Sequence, residues 1–261
     1  MRILFWRRRR VPVLRLHGVL AKRIGALNID AYGRLIDAAF RSAGKGGTVL
    51  LDIDSPGGSP VQSDLIAARI RRRAEENGAR VLAIIAETGA SGGYWLACAG
   101  EEIVAHPMSV VGSIGVRGGG FGFDRALERV GVERRLYTAG ANKARLDPFS
   151  PERPEDVVFL QALMADLHER FKAWVRLRRA ARLVGAEGEV FDGGFMLGER
   201  ALALGLIDRF GDLDSVVREV GGERAEVRLF RPRRRGLLGR LPRLVLDAWL
   251  DAVEARQAPR F

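Results

Sequence analysis

Ser91 lies in the run Gly89-Ala90-Ser91-Gly92-Gly93-Tyr94, directly after an apolar stretch and ahead of a helical pattern. A serine at such a strand-to-helix turn has small neighbours that leave its hydroxyl open, and first-turn amides whose dipole favours developing negative charge. That is the environment of a nucleophile. A second glycine-rich junction, Ser55-Pro56-Gly57-Gly58, follows the run TVLLDID. Its glycines allow a substrate carbonyl to approach main-chain N–H groups, so Gly58 and Gly92 together would form an oxyanion hole. Taken singly, each motif has a plainer reading: Ser91 as a helix cap and the glycines as turn formers.

A serine nucleophile needs a base, and the three histidines are poorly placed for it: His17 on the first strand pattern, His106 before Pro107, His168 inside a long helix. A Ser-His-Asp triad is not expected. Asp52 and Asp54 flank the first junction with no histidine to orient, so both read as structural. A lysine can serve if burial lowers its pKa, whereas arginine cannot. Only Lys22, Lys45, Lys143 and Lys172 are available. Three of them read as solvated charges on a basic segment, a turn and a helix. Lys143, in an irregular stretch of small residues, is the remaining choice, although a loop lysine is ordinarily a surface charge. Cys98 is the single cysteine and reads as packed, and no histidine cluster has the spacing of a zinc site, so neither metal nor cofactor is called for.

These residues must be positioned by an alternating pattern. Val11–Leu16, Thr48–Ile53 and Val81–Ala86 read as strands, and Asp30–Ala43 and Val61–Glu76 as helices, the first capped by Asp30 and the second stopped at Asn77-Gly78. Such alternation gives an α/β sheet with helices packed on it. Residues 115–122 and 139–154 read as loops. A long helix over 154–181 carries an apolar face at Val157, Leu160, Leu163, Leu167, Phe171 and Trp174.

The net charge of +11 suggests a nucleic-acid binder until it is placed along the chain. Residues 1–23 carry eight basic and no acidic side chains, and residues 228–261 nine basic against three acidic, which leaves the stretch between them mildly acidic. The excess belongs to the two ends, and a nucleic-acid groove through the core is not expected. The longest uncharged runs, Thr88–Gly100 and Ile103–Val116, fall short of the roughly 20 apolar residues of a membrane span. The start, MRILFWRRRR, has too short an apolar stretch for a secretory signal.

Four ordered blocks, DSPGG, GASGGYWLACAGEEIVAHPMSVVGSIGV, AGANKARLDPF and GEVFDGGFMLGERALALGLIDRFG, resemble the signature blocks of the signal peptide peptidase A family, serine-lysine peptidases on the ClpP/crotonase fold. The likeness runs from about Val13 to Val217. It implies that Ser91 is the nucleophile and Lys143 the general base, that Ser113 of the GSIG block orients the lysine amine, and that Gly58 and Gly92 supply the oxyanion amides. It also implies a homo-oligomer. Unlike longer members of that family, the chain shows no membrane-spanning anchor ahead of its first strand.

The expectation is therefore an α/β, ClpP/crotonase-like single domain over residues 11–220, with a basic N-terminal segment (1–10) and a basic, partly amphipathic extension (221–261). The function expected is a serine endopeptidase on apolar peptides such as signal peptides or membrane-protein fragments, cytoplasmic and able to touch the inner face of the membrane. The basic ends, with a stripe at Leu241, Leu244, Val245, Trp249 and Leu250, would bind either an anionic lipid surface or a neighbouring subunit. Two other readings stay open: a crotonase-type acyl-CoA enzyme on the same fold, and a non-catalytic scaffold that gathers partners at a membrane.

Overall fold

The computed structural model describes residues 9–232. The basic N-terminal cluster up to Arg8 and the amphipathic stripe at 241–250 lie outside the described residues. Chain order is β1 (Arg10–His17), α1 (Ile29–Ala43), β2 (Thr48–Ser55), α2 (Pro60–Asn77), β3 (Arg80–Ala90), α3 (Gly92–Ala97), β4 (Glu102–Ala105) and β5 (Val110–Gly112). Then come α4 (Asp124–Arg129), α5 (Pro154–Arg179), α6 (Glu187–Val190), β6 (Phe195–Leu197), α7 (Gly198–Ala203), β7 (Arg209–Phe210), α8 (Leu213–Gly221) and β8 (Glu226–Phe230).

The strands form one eight-stranded sheet ordered β6-β5-β3-β2-β1-β8, with β4 and β7 branching from β3. Every pairing is parallel except β5 with β6. Alternation along the strands divides the core. Leu14, Leu16, Leu51, Ile53, Ala83 and Ile85 pack with α1, α2 and α3 on one face. Val11, Val13, Leu50, Leu82 and Ile84 pack with Val216 and Val217 of α8 on the other. The sheet extends past the expected domain boundary at 220, because β8 pairs with β1 from Arg10↔Glu226 to Leu14↔Phe230.

Local signals set the helix ends. α1 is capped by Asn28, whose side chain accepts the Ala31 N–H, and not by Asp30, which falls in the first turn. Ser59 caps α2 ahead of Pro60, and Gly78 closes it in the left-handed conformation. The middle strand β3 is longer than its apolar run because it changes partners: Leu82–Ile85 pair with β4, and Thr88–Ala90 with β5. That second pairing carries the backbone directly to Ser91.

The long helix α5 docks its C-terminal half on α3. Phe171 and Trp174 pack against Trp95 with ring centroids at 5.1 and 5.7 Å, and Trp174 Nε1 donates to Trp95 O at 3.1 Å. Arg178 donates to the carbonyls of Cys98 and Gly100 at the end of α3, which satisfies groups a helix terminus leaves open. Of the apolar face expected on α5, Phe171 is buried and Val157, Leu160, Leu167 and Trp174 are half-buried, while Leu163 faces solvent. The first half of the helix runs beside an arm, residues 116–153, that holds α4 and is otherwise irregular.

Candidate active site

Ser91 is the one residue between β3 and α3, and its backbone (φ 51°, ψ −121°) lies in a region that L-residues seldom occupy. The surroundings hold it there: Ser91 N–H donates to Gly112 O at 2.8 Å, and Trp95 N–H donates to Ser91 O at 3.0 Å. This sharp strand-to-helix turn has the form that a nucleophile elbow takes. The plainer reading of Ser91 as a cap fails, since its side chain makes no capping hydrogen bond.

The two glycine-rich junctions meet. A Cβ on Gly57 (φ 100°) would stand 2.7 Å from both Ser91 Cβ and Gly92 N. A Cβ on Gly93 would overlap the Ser55 carbonyl. Only hydrogens at these positions let the chains approach so closely. Leu20 N–H donates to Gly57 O and Ser59 N–H to Leu20 O, which ties the loop after β2 to the segment after β1. Gly58 lies between those bonds, exposed, and its own N–H reaches no acceptor among the described residues. Gly92, the first residue of α3, also has an N–H without an intrahelical acceptor. The amides of Gly58, next to the Gly57 that touches Ser91, and of Gly92 are thus both unpaired among the described residues. Sequence reasoning names Gly57 and Gly58 together as the glycines that permit close approach and assigns the oxyanion amide to Gly58, whereas nothing in the sequence marks Leu20.

Ser113 follows Gly112, the residue whose carbonyl receives the Ser91 N–H. It too is left-handed (φ 52°), and its N–H donates to Gly194 O at 2.6 Å. The FDGG run at 191–194 therefore backs onto the GSIG run. Lys143 is not brought to these groups by a hydrogen bond. It sits in a turn of the arm with its N–H on Gly140 O at 3.2 Å, its side chain exposed and its amine unpartnered among the described residues. The expected dry pocket is not formed around Lys143 by the described residues, which leave its side chain exposed.

Residues 73–227 match the profile of peptidase family S49. The chain belongs to that family. The Na(+)/H(+) antiporter NhaA of Brucella abortus is 44% identical over 243 residues, 91% of this chain and 33% of that protein. The chloroplastic serine protease SPPA of Arabidopsis thaliana is 28% identical over 217 residues, 80% of this chain and 32% of that protein. The chain thus spans about a third of the length of each of these relatives. Among the described residues, no helix is long and apolar enough to cross a membrane. A mutant of the 1510-N membrane-bound stomatin-specific protease shares the fold, with a TM-score of 0.52 at 16% identity, covering 87% of this chain and all of that one. The expected ClpP-like α/β fold is thereby met.

The three histidines of this S49 chain are engaged by groups other than Ser91. His17 Nε2 meets Asp52 Oδ1 at 3.1 Å, and Arg15 Nε donates to Asp52 Oδ2 at 2.7 Å. This corrects the expectation that Asp52 has no histidine to orient. The pair arises because β1 and β2 run side by side with Arg15 opposite Asp52. Both side chains lie on the α8 face of the sheet, whereas α3 packs on the other. Burial raises the Asp52 carboxyl, and the hydrogen bonds from His17 and Arg15 more than offset this, leaving it below the ordinary carboxylate range. His106 Nδ1 accepts the Met108 N–H, and His168 Nε2 meets Ile114 O at 2.9 Å. Cys98 is buried, as expected, and burial pushes its thiol up to about 12, far from a reactive thiolate.

Proposed function

We propose that this chain is a serine endopeptidase working through an acyl-enzyme on Ser91, with Lys143 as general base. The observation that carries this reading is the turn itself: a serine at positive φ with no capping hydrogen bond, against which Gly57 closes, while the Gly58 and Gly92 N–H groups stay unpaired among the described residues. Ser91 Oγ bonds to the substrate carbonyl carbon while its proton passes to the neutral Lys143 Nζ. The Gly58 and Gly92 N–H groups stabilise the resulting oxyanion. The C–N bond then breaks, the amine leaves with the proton held by Lys143, and a water activated by the same amine hydrolyses the ester. Ser113, beside the elbow, orients the amine.

The substrates proposed are apolar peptides, such as signal peptides or fragments of membrane proteins, and the work is cytoplasmic with peripheral membrane contact through the basic ends. A homo-oligomer completes the site in this reading. The arm that carries Lys143 exposes Phe121, Val130, Val132, Leu136 and Tyr137, and packing it on a neighbouring copy would bury the amine and lower its pKa.

Labelling with a fluorophosphonate probe is the direct test. Wild type should react at Ser91 and hydrolyse a peptide library, and Ser91→Ala should lose both while keeping its circular dichroism spectrum. A crotonase-type enzyme or a scaffold predicts no adduct. Full hydrolysis by Ser91→Ala would overturn the mechanism.

A further inference from the structure

The left-handed Ser113 is held from three sides. Its N–H is fixed by Gly194 O, and Gly112 before it is paired with Ala90 of β3 and Phe195 of β6. The carbonyl of Ile114 after it meets His168 Nε2 at 2.9 Å. A carbonyl oxygen only accepts, so Nε2 carries the hydrogen in this bond. A non-glycine residue keeps such a backbone only where its surroundings over-determine it.

The third hold comes from α5, and the same helix grips the next stretch of chain. Gly118 packs so closely on Leu160 and Met164 that a Cβ there would come within 2.9 Å of Met164 Sδ. Leu160, Met164 and His168 are spaced four residues apart and lie along one side of the helix. One turn beyond His168 the helix packs on Trp95 behind the elbow. A single helix therefore spaces Ser113 from Ser91 and also forms the root of the arm bearing Lys143.

We propose that His168 is a positioning residue for the peptidase reaction: its hydrogen bond to Ile114 O sets the Ser113 backbone and thereby aims the hydroxyl that orients Lys143. The inference rests on the Ser91–Lys143 reading. The test uses the full chain with His168→Phe, which keeps a ring but no donor, and His168→Gln, which restores an N–H. With a fluorogenic peptide, His168→Phe should lower kcat by about 10- to 100-fold with KM little changed, and His168→Gln should recover most of the loss. In a Ser113→Ala background, His168→Phe should add nothing further. Hydrogen exchange over residues 112–116 should speed up in His168→Phe and return towards wild type in His168→Gln.

A loss confined to KM, a loss additive with Ser113→Ala, or a folded His168→Gln that rescues nothing would overturn the proposal. Wild type that neither hydrolyses peptide nor labels at Ser91 would instead overturn the peptidase reading. In that event, unchanged exchange over 112–116 in His168→Phe would by itself reject the positioning role.

Discussion

The chemistry proposed at Ser91 depends on absent atoms as much as on present ones. Gly57 contributes no functional group, yet its missing Cβ is what lets the SPGG loop close over Ser91 and Gly92. Gly57→Ala combines a steric clash with a positive φ that an L-residue adopts at a cost. It should destabilise the fold by about 1–3 kcal/mol and reduce turnover about 100-fold or more, since the amide of Gly58 is carried out of place. Pro56→Ala, at an exposed neighbour, should do neither. Urea melts and kcat/KM of the two variants check this; a fully active Gly57→Ala would show that the close approach is dispensable.

Among the elements, α5 touches both Trp95 and the Ile114 carbonyl, and it is fastened to the body at its far end. Arg179 is 1% exposed and donates to both carboxylate oxygens of Asp208 and to Gly205 O, while Asp208 also accepts the Ile103 N–H. Removing one member of such a buried pair leaves the other uncompensated, so Arg179→Met should cost about 3–5 kcal/mol in a urea melt. A change near zero would mean that the helix is held by its aromatic contacts alone. Burial raises the Asp208 carboxyl, and the Arg179 and Ile103 hydrogen bonds outweigh this, leaving its pKa lowered in the folded chain. The contribution is therefore complete above the unfolded value near ~3.9 and fades as pH falls through the lower folded value. Asp208→Asn, weaker from the start, should show a shallower decline in stability below about pH 4 than wild type. Equal slopes would assign the acid sensitivity to other carboxylates, such as Asp52.

At the scale of the molecule, the arm stands out, because several of its apolar side chains are left exposed by the described residues. Tyr137 is 88% and Val130 70% exposed, which is an unusual surface for an isolated subunit. Light scattering should show self-association, and Val132→Glu with Tyr137→Glu should reduce it together with specific activity. Mixing Ser91→Ala with Lys143→Ala should restore part of the activity if copies complete one another's sites. A monomer with full, concentration-independent activity would refute that arrangement.

The first three strands and the helices between them, the long helix α5, the turn at Ser91, the SPGG junction and the loop around Lys143 were legible in the sequence. Each is a local feature, written in apolar periodicity or in glycine, proline and capping residues within a few positions. Asn28 in place of Asp30 as the first helix cap is an error of that same local kind, two residues in extent. Long-range features were not legible. Gly57 touching Ser91, Asp52 pairing with His17, Gly194 and His168 holding the backbone around Ser113, and β8 joining the sheet beside β1 all follow from strand register and helix docking. Those are set by the sum of many weak contacts between residues tens of positions apart, which no single stretch of sequence encodes. The amine of Lys143 is the extreme case: whether it is dry depends on what covers the arm, and the described residues supply no such cover.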